Sequence, residues 1–227
     1  MRCLAIGDIH GCSRSLEMLL GAVSPRAGER IVTLGDYVNR GPDSRAVMER
    51  LLHLHGAGLL VPLRGVHEQM MLEARDEGGE KLKRFLKVDG DRTLASYAAR
   101  GEAGLLADVP DEHWAFIQQT CVDWYETETH FFVHANAYPD YPLAEQPTYM
   151  LRWETFSDPP PHESGKVMVC GHTSQKSGEP RNIGHAVCID TYAHGGLADV
   201  PGHVHGPALA SKRAGRGAAG VDRGLFQ

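Results

Sequence analysis

Five short polar motifs, each placed at the end of an apolar run, constrain this chain more than any other feature of its sequence. They are GDIHG at 7–11, GDYVNRG at 35–41, RGVHE at 64–68, FVHA at 132–135 and CGHT at 170–173. Short apolar runs of this kind are consistent with buried strands, and ligand groups in α/β sheets collect at the carboxyl ends of the strands. The sequence therefore predicts one edge of a sheet that gathers Asp, His and Arg around a small charged ligand.

The order of the apolar segments predicts an α/β fold. Strands are expected at 3–6, 30–34, 59–63, 130–133, 167–170 and 186–189. Helices are expected from Ser13 through Val23, from residues 42–44 to a stop at Gly56, and over about 68–75. Alternation of strand and helix is typical of an α/β sheet.

The pattern changes between residues 76 and 126, where amphipathic stretches predict helices at 80–86 and 111–121. We interpret 76–126 as a helical insertion or cap within a domain that spans 1–196; the alternative is a structural filler without a role in substrate choice. Residues 197–227 contain few large apolar side chains and predict an irregular tail without a clean strand or helix.

Composition limits the classes of partner. The 227 residues are 42% hydrophobic and carry a formal charge of −6, so no overall basic field indicates nucleic acid. The five cysteines form no CxxC pair and are odd in number, which argues against a disulfide framework. No apolar stretch is long enough to cross a membrane, and we expect a cytoplasmic protein.

The aspartates and histidines of the motifs predict two metal ions. Asp8, His10 and Asp36 fit one ion, Asp36 can bridge, and His134 and His172 fit a second. Any one of these histidines could be an ordinary satisfied or exposed side chain. Their occurrence together with both aspartates at strand ends favours a metal site.

Four further residues suit a phosphate substrate. Arg40, Arg64 and, on weaker grounds, Arg152 offer guanidinium forks that match phosphate oxygens, although a surface salt bridge is the common fate of an arginine. His67 is the best candidate for a general acid because imidazole titrates near neutral pH, with a surface histidine in a turn as the alternative.

Over residues 1–196 these motifs resemble those of the calcineurin-like metallophosphoesterases, specifically the bacterial and phage phosphoprotein phosphatases, with their GDxHG, GDxxDRG, GNHE, HA/HG and GHT signatures. The resemblance implies a sandwich of two sheets flanked by helices in four layers. It also implies a dinuclear centre often active with manganese (iron, zinc and magnesium stay open), attack by a metal-bound hydroxide, and Arg152 joining Arg40 and Arg64 at the phosphate.

Two positions depart from these signatures. Asn39 replaces the aspartate that in the family holds and polarises the catalytic histidine, which matches His67 here, so we expect a lower pKa for that acid. Val66 replaces the GNHE asparagine that ligates the second metal, so we expect weaker binding of that ion.

Three functions follow from the retained residues. The favoured one is a phosphomonoesterase, a serine/threonine protein phosphatase, acting on a phosphoprotein or small phosphorylated substrate. The second is a diadenosine tetraphosphate hydrolase, because residues 38–42, VNRGP, resemble that sister group, whereas Glu68 matches the protein phosphatases. The third is an attenuated phosphate-binding protein without activity.

The resemblance also bears on the tail. Family members continue with a strand similar to GGWLTCLD, whereas this chain has GGLADVPGH at 195–203. With permitted codons, reading 196–203 one nucleotide later gives GWLTCLD. We therefore suspect a frameshift near Gly196, which resequencing of the DNA tests.

Overall fold

Two β-sheets pack face to face at the centre of the protein in a computed structural model, which describes residues 2–99, 102–195 and the backbone of 209–212. The strands are β1 (Cys3–Ile6), β2 (Arg30–Thr33), β3 (Leu60–Pro62), β4 (Trp124–Glu126), β5 (His130–Val133), β6 (Val167–Cys170), β7 (Arg181–Asn182), β8 (Ala186–Cys188) and β9 (Leu209–Lys212). The first sheet has the strand order β3-β2-β1-β9 and the second has the order β4-β5-β6-β8-β7.

The central strands of each sheet are parallel, so their carboxyl ends lie at one edge. In the first sheet β1 pairs with β2, and β2 pairs with β3. In the second sheet β5 pairs with β6, and β6 pairs with β8. The edge strands β4 and β7 are antiparallel to their neighbours. This arrangement brings the predicted motifs together at the same edge.

Alternation along the strands divides the apolar side chains between an inner and two outer layers. Ala5, Val32, Phe132 and Val169 belong to the core between the sheets. Neighbouring positions such as Leu4 pack on the other side of the first sheet against helices. The outer side of the second sheet has its own core, whose members include Phe131, Leu151 and Phe156. The predicted two-sheet sandwich flanked by helices is confirmed.

Three helices connect or follow the strands of the first sheet: α1 (Ser13–Val23), α2 (Ser44–Gly56) and α3 (Val66–Glu77). The buried face of α1 is the one expected from its leucines. Asp43 caps α2 by accepting a hydrogen bond from the backbone N–H of Ala46 at 3.0 Å, so the predicted start of that helix is confirmed. Helix α3 begins at Val66, two residues before the predicted start, because Gly65 is its N-cap and donates its backbone N–H to the carboxylate of Glu68 at 3.0 Å.

Residues 124–126 form strand β4 of the second sheet, so the helical segment is shorter than the interpreted 76–126. The rest of this segment packs against helices α2 and α3. It contains α4 (Gly79–Phe85), α5 (Asp91–Tyr97) and α6 (Asp111–Ala115). A π-helical turn over Leu86–Gly90 connects α4 to α5, and a second one over Phe116–Thr120 follows α6. Phe85 and Leu94 join the same core as α1 and α2. Helix α5 is absent from the sequence prediction because Asp89-Gly90-Asp91 indicates a break rather than a helix start. A further short helix, α7 (Thr148–Trp153), was also not predicted.

The described part of the tail, residues 209–212, forms a strand that was not predicted from the sequence. Strand β9 pairs antiparallel with β1, with Leu209 opposite Ile6 and Lys212 opposite Cys3. It pairs with the free edge of β1, whose backbone groups otherwise lack partners in the sheet. The suspected frameshift near Gly196 and the rest of the predicted tail, 197–208 and 213–227, lie outside the described residues. Within the described ranges, no helix is both long and apolar enough to span a membrane.

Candidate metal centre

The motifs meet where the strands of both sheets end. Residues 7–10 follow β1, residues 34–41 follow β2, and α3 begins shortly after β3. His134 follows β5 and His172 lies two residues beyond β6. Buried polar side chains at this edge include Asp8, His10, Asp36, Asn39, His67 and His134.

Asp36 lies at the centre of the site. Its Oδ1 is 3.4 Å from Nε2 of His134, and its Oδ2 is 3.7 Å from Nε2 of His10 and 3.9 Å from Nε2 of His67. Asp36 therefore belongs to two groups of donor atoms. One contains His10 and His67, the other contains His134 and His172, and in each group the atoms lie within 4.8 Å of one another.

Backbone carbonyls fix the orientation of three histidine rings. His10 donates its Nδ1–H to the carbonyl of Val38 at 2.9 Å, and His134 donates its Nδ1–H to the carbonyl of Leu34 at 2.7 Å. Both rings therefore present a bare Nε2 to Asp36. His172 donates Nε2–H to the carbonyl of Trp153 at 3.2 Å, so its Nδ1 has no hydrogen and offers its lone pair to a metal ion. Such outer contacts set the tautomer of metal-binding histidines.

The buried Nε2 of His134 fits the donor atom of a metal site. Among the residues that the structure describes it has no hydrogen-bond partner, although His134 is fully buried. Burial lowers the pKa of His10 to about 3 and the pKa values of His134 and His172 to about 4. The three rings are thus neutral at physiological pH and suited to bind a metal ion. The donor set of imidazole and carboxylate fits a divalent transition metal.

The buried carboxylates of Asp36 and Asp8 also fit a bound cation. Burial raises the pKa of Asp36 to about 7, and burial with the nearby Asp190 and Asp36 raises the pKa of Asp8 well above its ordinary value. A bound cation would offset both effects. Asp8 lies outside the two donor groups, and its carboxylate accepts a hydrogen bond from the backbone N–H of His172 at 3.1 Å. Its role as a ligand remains a prediction.

Asn39 contacts His67 as the family resemblance predicts for that position. The Nδ2 of Asn39 lies 2.9 Å from Nδ1 of His67, and Asn39 is fully buried. Burial, together with His10 and Arg40, holds the pKa of His67 well below its ordinary value. His67 also lies within reach of Asp36, so its role as the acid remains a prediction.

The three arginines have different surroundings. Arg40 lines a cavity of about 310 Å³ at the site, and its Nη1 donates to Asp89 at 3.0 Å. Arg64 donates to the backbone carbonyls of Ile117 and Gln118. Arg152 is buried and donates to Gln69 and Asp123. Arg64 and Arg152 do not line this cavity, so their predicted contact with phosphate would require them to exchange partners.

Several residues of the site were not selected from the sequence. Asp190 is buried directly beyond the apolar run that includes β8, and accepts hydrogen bonds from the Ser174 hydroxyl at 2.6 Å and the Tyr192 N–H at 3.0 Å. The same signal as for Asp8, an aspartate after a buried strand, could have identified it. His194 and Lys176 also line the cavity, but neither follows a strand closely enough to be recognised.

Left-handed backbone conformations are concentrated in these loops. His10, Asp36, Asn39, Arg40 and His172 all have positive φ angles, between 46° and 68°. Non-glycine residues in this region are uncommon and are held there by their surroundings.

Comparisons with known proteins agree with this geometry. The chain is 32% identical over 144 residues to serine/threonine-protein phosphatase 1 of Salmonella typhimurium, which covers 61% of this chain and 59% of that protein. It is 41% identical over 76 residues to the symmetrical bis(5'-nucleosyl)-tetraphosphatase of Acidovorax sp., which covers 33% of this chain and 26% of that protein. The matches thus span less than two thirds of these relatives.

A solved structure has the same fold. The crystal structure of a candidate diadenosine tetraphosphatase superposes with a TM-score of 0.62 at 21% identity, covering 92% of this chain and 87% of that one. The model of the family described as calcineurin-like phosphoesterase matches residues 1–207. The match extends over most of the sequence, and the chain belongs to the calcineurin-like phosphoesterase family.

Proposed function

We propose that this protein is a metal-dependent phosphoesterase that hydrolyses phosphate monoesters, with phosphoserine and phosphothreonine in proteins as the favoured substrates. The observation that carries the proposal is the position of Asp36 between two groups of histidines, one of which includes the unpartnered Nε2 of His134. Family membership supports the reaction class.

His10, Asp36, His134 and His172, with Asp8, are the residues that would hold two divalent cations, manganese being the expected metal. Two cations, when bound, supply charge neutralisation at the phosphoryl oxygens and lower the pKa of water. The chain's own residues provide the neutral imidazoles and the central carboxylate that such ions require.

The substrate's phosphoryl group would enter the cavity beside Arg40, whose guanidinium can pair with its oxygens. Water attacks phosphorus, the bond to the leaving oxygen breaks, and that oxygen keeps the electron pair. His67 faces the same cavity and supplies the proton to the departing oxygen, and a proton released by the attacking water restores the ring. The products are inorganic phosphate and an alcohol.

A second candidate is the hydrolysis of dinucleoside tetraphosphates. Several relatives carry that name, and one matches this chain at 41% identity. Lys176 adds a cation to the lining of the cavity beyond Arg40, and this pair suits a substrate with more than one phosphate.

The test is an assay of the whole chain with manganese and three substrates: a phosphoserine peptide, an aryl phosphate and diadenosine tetraphosphate. We expect release of inorganic phosphate from the peptide and the aryl phosphate, a reaction that stops when a chelator is added and in the variant Asp36→Asn. Hydrolysis of the dinucleotide is followed by the nucleotides it releases, because cleavage between two nucleosides gives nucleotides and not inorganic phosphate. A preference for the dinucleotide would promote the second candidate. Phosphate binding without turnover of any substrate would overturn both.

A further inference from the structure

We propose that Thr93, from helix α5 of the insertion, is a positioning residue that determines which nitrogen of His67 carries the proton. The inference rests on the proposed function of His67, and it assigns to the insertion a task in the reaction. Thr93 is fully buried, so every contact of its hydroxyl group is with the protein.

The hydroxyl of Thr93 contacts Asn39 twice. It accepts a hydrogen bond from the backbone N–H of Asn39 at 2.7 Å, and it donates to Oδ1 of the same residue at 2.7 Å. The hydroxyl of Ser44 lies 3.1 Å away. Because the single proton of Thr93 is given to Asn39, Ser44 is the donor in that pair. All hydrogen-bonding positions of the threonine hydroxyl are then used.

These contacts orient the amide of Asn39. Its oxygen faces Thr93, so its Nδ2 faces Nδ1 of His67 at a distance of 2.9 Å. An amide nitrogen has hydrogens to donate and no lone pair to offer. In this orientation of the amide Nδ1 of His67 accepts, and the neutral ring carries its proton on Nε2. Asn39 is fully buried, which limits the access of water that could replace either contact.

The protonated nitrogen is the one that points into the site. Nε2 of His67 is 3.9 Å from Oδ2 of Asp36, and the ring lines the cavity. A hydrogen-bond donor is therefore presented where the leaving oxygen would depart. A carboxylate at position 39 would have two equivalent oxygens, so its orientation would not matter. The amide of Asn39 has an accepting oxygen and a donating nitrogen. A neighbouring group must therefore determine which of the two faces His67, and Thr93 is that group.

The reverse amide orientation defines what the experiment must exclude. In that arrangement Nδ2 of Asn39 donates to Thr93, the threonine donates to Ser44, and Oδ1 accepts the proton of Nδ1 in His67. The leaving oxygen would then face a bare nitrogen. The two arrangements differ in the tautomer of one ring.

The direct test is ¹⁵N NMR of the histidine side chains in metal-free protein at a pH where His67 is neutral, with His67→Gln to assign the signal. We expect Nε2–H in the native chain and in Thr93→Ser, which keeps the hydroxyl. In Thr93→Val, which removes it, we expect both tautomers. A native signal from Nδ1–H overturns the proposal even if Thr93→Val fails to fold. Because this measurement needs neither metal nor substrate, its result is independent of whether the chain hydrolyses phosphate esters.

Kinetics provide a second readout. In the metal-loaded enzyme, Thr93→Val should lower kcat by about tenfold with little change in KM, since Thr93 is fully buried and does not line the cavity. Thr93→Ser should restore kcat. Ser96→Ala is the matched control, because that hydroxyl lies in the same helix and bonds to the Thr93 carbonyl at 2.6 Å without reaching Asn39. Equal losses in Thr93→Val and Ser96→Ala would overturn the proposal.

Discussion

The carboxylate of Glu68 accepts a hydrogen bond from the backbone N–H of Asp36 at 2.8 Å. The same side chain accepts from the N–H groups of Tyr37 at 2.7 Å, Val38 at 3.2 Å and Gly65 at 3.0 Å. Glu68 is fully buried. The carboxylate of Glu68 thus joins two segments, the loop that contains Asp36 and the start of helix α3.

Replacing Glu68 with Gln should therefore weaken both the fold and the metal site. An amide has one accepting oxygen, so at least one backbone N–H would face an NH₂ group or lose its partner. We expect a loss of roughly 1–3 kcal/mol in the free energy of unfolding together with weaker Mn²⁺ binding. Denaturation and calorimetric titration measure the two effects. Glu77→Gln, an exposed change in the same helix, is the control, and equal effects in both variants would contradict the account.

Changing Asn39 to Asp should increase turnover. A carboxylate can accept the Nδ1–H of His67 and stabilise the imidazolium, which raises the pKa of that acid. We expect kcat for a phosphoserine peptide with manganese to rise by about tenfold. Asn182→Asp adds the same charge at an exposed position and should have no effect. Unchanged or lower activity in Asn39→Asp would show that our explanation of this position is wrong.

Changing Val66 to Asn should strengthen the binding of one metal ion. Val66 is buried at the start of helix α3 and lines the cavity, but it offers no ligand atom. An amide oxygen there should tighten the weaker Mn²⁺ site by about tenfold. Calorimetric titration checks this, with Val66→Ala as a control that adds no ligand atom. If the asparagine and alanine variants bind alike, Val66 does not limit the site.

Metal binding should depend on pH through Asp36. In the metal-free protein its pKa is raised to about 7 by burial, so below that pH the carboxyl group is protonated and must release a proton when a cation binds. Affinity for Mn²⁺ should therefore rise with pH through about 7 and fall by at least about tenfold per unit below it, since Asp8, whose pKa is also raised, releases a proton as well. The pKa values of His10 and His134 are lowered to about 3 and about 4, so these rings add no proton release there. Titrations in buffers of different ionisation enthalpy count the protons, and an affinity independent of pH between about pH 6 and 8 would exclude this mechanism.

The sheet edge could be predicted from the sequence because its signals are local. Asp8 and Asp36 each follow a buried run, and the parallel strands β1 and β2 bring them together. The predicted strand β6 likewise places His172 at the site. The apolar run and the polar residue after it are adjacent in the sequence, so one short segment is enough to recognise both.

The residues that the sequence analysis missed depend on contacts between distant segments. Thr93 lies in a segment interpreted as an insertion, 54 residues from Asn39, and no periodicity links the two. Arg152 has the residue type expected for a phosphate site, but its partner Asp123 could be identified only from the fold. Strand β9 pairs with the edge of β1, a contact between distant segments that composition cannot show.

We propose above that Asp36 lies between two divalent cations. Anomalous diffraction from crystals of the whole chain grown with Mn²⁺ locates such ions. We expect two peaks on either side of the Asp36 carboxylate, about 3.5–4 Å apart, one contacted by His10 and the other by His134 and His172. A single peak away from Asp36, or no peak at these residues under saturating Mn²⁺, would contradict it.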